Sequence, residues 1–395
     1  MSDPIRVAAI VTIYHPKSHA DVIVTKYLKG MSTDDGFLSP EIEVVSMYLD
    51  HVLENDIGVN LAQEYGLPIY PSIRKALHAG SEELNVDAVL LVGEHGDYPW
   101  NERGRHMYPR KYFFEQIAGV FAESGRSVPV FNDKHFAYDF NDANWMWKRS
   151  KELNIPLMAG SSLPLCWRNP YVEYDKGTNI EEALSIGYGG IEAYGYHAIE
   201  TLQCMVERRD GGETGVASVQ CLEGDEVWHA GDEGRWPKDL ANAALDSIAK
   251  KTDGTMEENV KDPAVFLIEY FDGLKAATLM LSGHVQDFAY AARVDGQVQG
   301  VEFYLQNEGP FAHFSYLCQN IQRFFKESRA PYPPERTLLT TGIIDSLMNS
   351  RHENHRRVET PFLDISYSSY DQLPARPTGT RPKGASIDPA ALDII

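Results

Sequence analysis

The chain has 395 residues, 43% of them apolar, and a formal net charge of -21. That length predicts about two to three domains with ample material for large cores, and the acidic balance leaves no basic stripe for nucleic acid or an anionic membrane surface. Cys166, Cys204, Cys221 and Cys318 show no CxxC-type spacing, which argues against a zinc-thiolate site or a disulfide framework and for a reducing, cytoplasmic setting.

Strand and helix patterns alternate through the first half. The apolar run from Ile5 to Ile13 is too short to cross a bilayer and reads as a first strand. The segment from Lys17 follows as a helix closed by Gly30, then Ile42 to Leu49 as a strand and Glu54 to Tyr65 as a helix. Leu67 to Tyr70 reads as a third short strand, Ser72 to Ala79 as a helix, and Val86 to Val92 as a fully apolar strand. After a Gly-rich, polar turn at Gly93 to Pro99 comes a helix near Tyr112 to Ser124. Val128 to Phe131 is a strand interrupted by Asn132-Asp133-Lys134-His135, Asp142 opens another helix, and Ile155 to Met158 resumes as a buried strand. Such alternation predicts a doubly wound parallel sheet ending near residue 160.

The second half changes character. A helix is expected from Asn179 through Gly190, leading into Ile191 to Arg208. Strand-like runs follow at Gly215 to Leu222, Ala264 to Tyr270, Ala276 to Leu281 and Gly300 to Leu305, implying a mostly antiparallel, open-faced sheet. Late helices are expected at Arg323 to Arg329 and Glu335 to Arg351, and residues 371–395, rich in Pro, Gly and Arg, read as an arm or a disordered tail. The division is thus 1–160, an α+β domain over 161–370, and the terminal 25 residues.

In a parallel sheet, ligands sit where chains leave the C-terminal ends of strands. His15 and His19 follow strand one with Tyr14 beside them, Glu94, His95 and Asp97 follow strand four, and Lys134 and His135 follow strand five. Imidazole and carboxylate at that density suit either a divalent metal held by His15, His19, His95, Asp97 and His135, or metal-free acid/base work with Tyr14 and Glu94 contacting substrate.

Four stretches in this order resemble the glucose-fructose oxidoreductase/inositol dehydrogenase/MocA (Gfo/Idh/MocA) family. They are AQEYGLPIYPSIRKAL (62–77), VDAVLLV (86–92), VPVFNDKHFA (128–137) and GYGGIEAYGYHAIE (187–200). The resemblance implies a Rossmann-type domain followed by a substrate and oligomerisation domain, a homodimer or homotetramer, and a sugar, polyol or sugar-acid substrate. It places Lys134 and His197 on catalytic positions, Glu200 in the place of an acidic partner, and Asp50 where a ribose-binding acid would sit if a dinucleotide binds. The departures are equally specific. Val11, Ile13 and Pro16 stand where the family carries the glycines that admit a pyrophosphate, and Ala193 stands where it carries an aspartate. Three expectations stay open: acid/base or metal-assisted lyase, epimerase or hydrolase chemistry; an NAD(P)-dependent sugar or polyol oxidoreductase with a remodelled loop; or a non-catalytic sugar-binding homologue.

Overall fold

A computed structural model describes residues 4–388. The first half runs β1 (Ile5–Val11), α1 (His19–Lys29), a small hairpin of β2 (Met31–Thr33) and β3 (Gly36–Leu38), β4 (Ile42–Leu49), α2 (Gly58–Glu64), α3 (Ile73–His78), β5 (Ala88–Val92), α4 (Arg110–Ser124), β6 (Val130–Asp133), α5 (Phe140–Glu152) and β7 (Leu157–Gly160). The five long strands form one parallel sheet in the order β4-β1-β5-β6-β7. Strands β1 and β5 are almost wholly buried, as their unbroken apolar sequences require of a sheet covered on both faces.

The second half runs β8 (Trp167–Asn169), β9 (Ile180–Gly187), α6 (Ala193–Val206), β10 (Val216–Glu223), α7 (Asp225–Asp232), α8 (Lys238–Ser247), α9 (Met256–Asn259), β11 (Ala264–Tyr270), β12 (Lys275–Met280), β13 (Phe288–Val294), β14 (Gln297–Tyr304), α10 (Ala312–Glu327), α11 (Glu335–His352) and β15 (Val358–Glu359). Eight strands form a mixed sheet, β15-β10-β11-β12-β9-β13-β14-β8, in which only β12 and β9 pair in parallel. One buried cluster joins the two sheets through α6, α10 and α11, while α8 packs across β14, β13 and β9 on the face expected to be open.

Three expected elements need correction, and one strand was unforeseen. The helix expected from Asn179 is strand β9, in the middle of the large sheet. Leu184 and Ile186 point into the core under α8, while Ser185 bonds the carbonyl of Ala198 and a Cβ on Gly187 would lie 2.7 Å from Ala198. Both faces are therefore covered, and tertiary pairing overrides the helical propensity of Glu-Glu-Ala-Leu. The third strand at Leu67–Tyr70 is reduced to an isolated bridge of Ile69 with Met47, flanked by Pro68 and Pro71, which cannot donate to a ladder. The helix expected at Arg323 is the last part of α10, which starts at Ala312. Strand β13 was hidden by its alanine-rich sequence.

Residues 371–388, expected as an arm or a disordered tail, pack back on the molecule. Ala375 exchanges hydrogen bonds with the Asn320 side chain, and Ser386 accepts one from Gln306. Residues 389–395 lie outside the described part. No described helix is long and apolar enough to cross a membrane.

Candidate functional site

A cavity of about 490 Å³ opens where β1, β5, β6 and β7 end against α6 and the start of α10. Lys17, His95 and Lys134 line it from left-handed backbone, with φ of +67°, +67° and +59°. Such a backbone costs a non-glycine residue roughly 1–2 kcal/mol, and held strain of this kind gathers at functional sites.

Lys134 donates from Nζ to Glu94 Oε1 at 3.0 Å, and Arg110 pairs with the other carboxylate oxygen. Burial alone would raise the Glu94 carboxyl, but Lys134 and Arg110 override it and hold the group well below the usual carboxylate range. Arg110 also donates to His135 Nε2 at 3.2 Å. Burial, then Arg110 and Arg105, push the His135 imidazole far below its ordinary value, so it stays neutral beneath the cavity floor.

Two histidines reach the cavity with a carboxylate behind each. His197, on α6, donates from Nδ1 to Glu200 Oε2 at 3.1 Å, and Glu200 is fixed by the Ser161 amide at 3.1 Å, the Ser161 hydroxyl at 2.5 Å and the Tyr196 hydroxyl at 3.2 Å. Burial, then Lys134, lowers the His197 pKa, leaving a neutral imidazole near pH 7. His19, in the first turn of α1, donates from Nδ1 to Asp133 Oδ2 at 2.6 Å. In both rings Nε2 has no partner among the described residues, and both side chains line the cavity. Each carboxylate thereby sets the tautomer that presents Nε2 to a ligand.

The remaining sequence candidates divide. His15 and His95 join His19, with ring centroids 5.8 Å apart for His15–His95 and 5.1 Å for His19–His95, and burial lowers His95 to about 3. Asp97 is exposed outside the cavity lining, and Tyr14 lies under α1 with its hydroxyl on Thr25 at 2.7 Å. The ligand atoms of the five metal candidates do not converge. Among the described residues, Cys221, Glu223 and His355 are the group with metal-like spacing, and there Glu223 is already ion-paired to Arg351 at 2.8 Å.

Sequence reasoning missed Asp133, Arg110, Trp100, His106, Tyr108 and His313, all at or next to the cavity. Local pattern carries no sign of His313, which α10 delivers from far along the chain, and its buried Nδ1 has no partner among the described residues. The segment Asn132-Asp133-Lys134-His135 did carry a signal for Asp133, because it is a carboxylate at the C-terminal end of a parallel strand.

The start of α1 and the end of β4, where the resemblance puts a pyrophosphate and a ribose, are bonded within the chain. The amides at the start of α1 are engaged: Lys17 N donates to Asp21 Oδ2 at 2.7 Å, Ser18 N to the His15 carbonyl at 3.0 Å, His19 N to His95 Nδ1 at 3.4 Å, and Asp21 N to Ser18 Oγ at 3.3 Å. An anion there would meet the Asp21 carboxylate beside amides already bonded within the chain. Asp50 accepts the Tyr48 hydroxyl at 2.5 Å and the Tyr98 hydroxyl at 2.6 Å, so both its oxygens are taken. With Val11, Ile13 and Pro16 at the glycine positions, these residues do not fit a pyrophosphate and ribose bound in the ordinary way.

The parallel sheet followed by the mixed eight-stranded sheet is a fold found in solved sugar and inositol dehydrogenases. Three solved structures share it. GenD2 from gentamicin A biosynthesis, in complex with NAD, aligns over 91% of this chain and 97% of its own, with TM-score 0.57 and 13% identity. Myo-inositol 2-dehydrogenase from Lactobacillus plantarum aligns over 90% and 99%, with TM-score 0.55 and 13% identity. Scyllo-inositol dehydrogenase from Lactobacillus casei, with NAD(H) and scyllo-inositol bound, aligns over 90% and 99%, with TM-score 0.56 and 10% identity. Identities this low make the likeness one of fold. No protein-family model and no curated protein sequence matches the chain.

Proposed function

We propose that the protein is an enzyme of proton transfer acting on a small polyhydroxylated carbonyl compound, of the sugar, polyol or sugar-acid class, without a nicotinamide. The observation that carries this reading is the pairing of His197–Glu200 with His19–Asp133 around Lys134 in one cavity. Neutral His197 Nε2 removes a proton from the carbon next to the carbonyl. The Lys134 ammonium donates to the oxygen on which negative charge gathers, and Glu94 keeps that ammonium in place. His19, brought in by a different element and entering the step with a proton on both ring nitrogens beside Asp133, returns the Nε2 proton either to the same carbon or to a departing hydroxyl, and exchange with solvent then resets both rings. The first outcome is epimerisation and the second is elimination of water. Each acid/base step of this kind contributes typically ~10²–10⁴ in rate.

The test is hydrogen exchange. Ketoses, aldonic acids and ketoinositols are incubated with enzyme in D2O and their C–H signals followed by NMR, with His197→Asn and His19→Asn in parallel. Exchange at one carbon that fails in both variants supports the reading. Exchange unchanged in both refutes it.

A second reading, an NAD(P)-dependent sugar or polyol oxidoreductase, is favoured by the bound NAD of the similar structures. In this chain it requires Tyr98 to leave Asp50 and Asp21 to release the Lys17 amide just ahead of α1.

A further inference from the structure

The loop between β5 and α4 builds something that acid/base chemistry does not require. Trp100 is 59% exposed at the cavity edge, where it is paired with His106. The two residues form an antiparallel bridge, Asn101 receives the amides of Arg103 and Arg105 on its side-chain oxygen, and His106 Nε2 donates to the Tyr98 carbonyl at 2.8 Å. Arg105, fully buried, ties the hairpin to Glu192 at 3.0 Å and Asp345 at 3.2 Å.

Inward from Trp100 the rings form a stack. His106 lies 4.3 Å from Trp100 at 19°, Tyr108 lies 4.0 Å from His106, and the Arg110 guanidinium sits 5.0 Å over Tyr108. Arg110 in turn holds Glu94, the partner of Lys134. One face of Trp100 is thus covered by His106 while the indole remains largely exposed beside the same cavity that Lys134 and His197 line. A large aromatic ring fixed in this way gives up little conformational freedom when a flat apolar surface covers it. The C–H face of a pyranose ring is such a surface, and its equatorial hydroxyls would stay in water.

We propose that Trp100, backed by His106, is a stacking subsite for a second sugar ring, so that the substrate is a glycoside or disaccharide whose reacting unit enters the cavity. The inference rests on the carbohydrate reading above and deepens it. A free monosaccharide held beside Lys134 and His197 leaves Trp100 bare, whereas a glycoside reaches it.

The test is calorimetric binding of matched pairs, glucose with cellobiose and maltose, galactose with lactose and melibiose, and inositol with galactinol. The full-length protein, Trp100→Ala and, as a control at an exposed aromatic far from the cavity, Phe271→Ala are compared. At least one disaccharide is expected to bind about tenfold more tightly than its monosaccharide to the wild type and to Phe271→Ala, which corresponds to ~1.4 kcal/mol. Trp100→Ala is expected to reduce that ratio to near one. Trp100→Phe keeps a stacking face and restores part of the ratio, which separates stacking from damage to the hairpin. A ratio near one in the wild type, or an equal ratio in wild type and Trp100→Ala, overturns the inference alone. Failure of every sugar to bind removes the carbohydrate reading and this inference with it.

Discussion

Replacing Glu94 by Gln isolates the charge at the centre of the site. Glu94 is 4% exposed and joins two cations, Lys134 at 3.0 Å and the fully buried Arg110. At an effective dielectric of about 20, one such contact is worth roughly 5 kcal/mol before the cost of desolvation. The net loss when one partner of a buried pair is removed is about 3–5 kcal/mol, because the charges left behind are uncompensated. Urea unfolding followed by fluorescence should show a loss of that size for Glu94→Gln. Adding Lys134→Met to the same chain removes one stranded cation and should recover about 1–2 kcal/mol. The effect is also pH-dependent. Since the folded carboxyl sits well below its ordinary value, its contribution is complete above about pH 4.3 and is lost as the pH falls toward the folded pKa. Glu94→Gln should therefore weaken the protein most at neutral pH and converge on wild type in acid. A change of less than about 0.5 kcal/mol at pH 7, or no recovery in the double variant, would refute the electrostatic account of this site.

Two further predictions address the dyads and the scaffold. Glu200→Gln and Asp133→Asn leave the rings of His197 and His19 in place but remove the carboxylates that fix their tautomers, so each should lower kcat by about 10²-fold or more with little change in KM, measured in the exchange assay. Equal loss of kcat and of thermal stability would indicate a merely structural role. Gly215 has φ of +88°, and a Cβ there would lie 2.3 Å from the Leu363 carbonyl, so Gly215→Ala should cost about 3 kcal/mol. Gly119→Ala in α4, where a Cβ meets nothing within 4 Å, should be neutral or stabilising by about 0.5–1 kcal/mol, and scanning calorimetry separates the two.

The parallel sheet was legible because its strands are short apolar runs separated by helix starts and stops, signals that are local in the chain. Strand β9 was not, since Glu181, Glu182 and Ala183 favour a helix and only pairing with β12 and β13 makes them a strand. The site was half legible for a similar reason. Lys134, His19, His95 and Glu94 leave strand ends or open the helix that follows, so topology gathers them, and all four line the cavity. His313, Trp100 and the stack behind it come from a helix start and a hairpin whose positions depend on tertiary packing. Asp97 and Tyr14 show the converse: adjacency in sequence to a site residue does not aim a side chain at the cavity, for Asp97 faces solvent and Tyr14 turns under α1 to Thr25.

The most direct test of the account is titration of NAD and NADP into the purified full-length protein by calorimetry. The internal bonding of Asp50, Asp21 and the first amides of α1 predicts no saturable binding up to about 1 mM, a concentration that would reveal even ~4 kcal/mol of affinity. Stoichiometric binding of either nucleotide at micromolar concentration would contradict it and make hydride transfer the chemistry of this cavity.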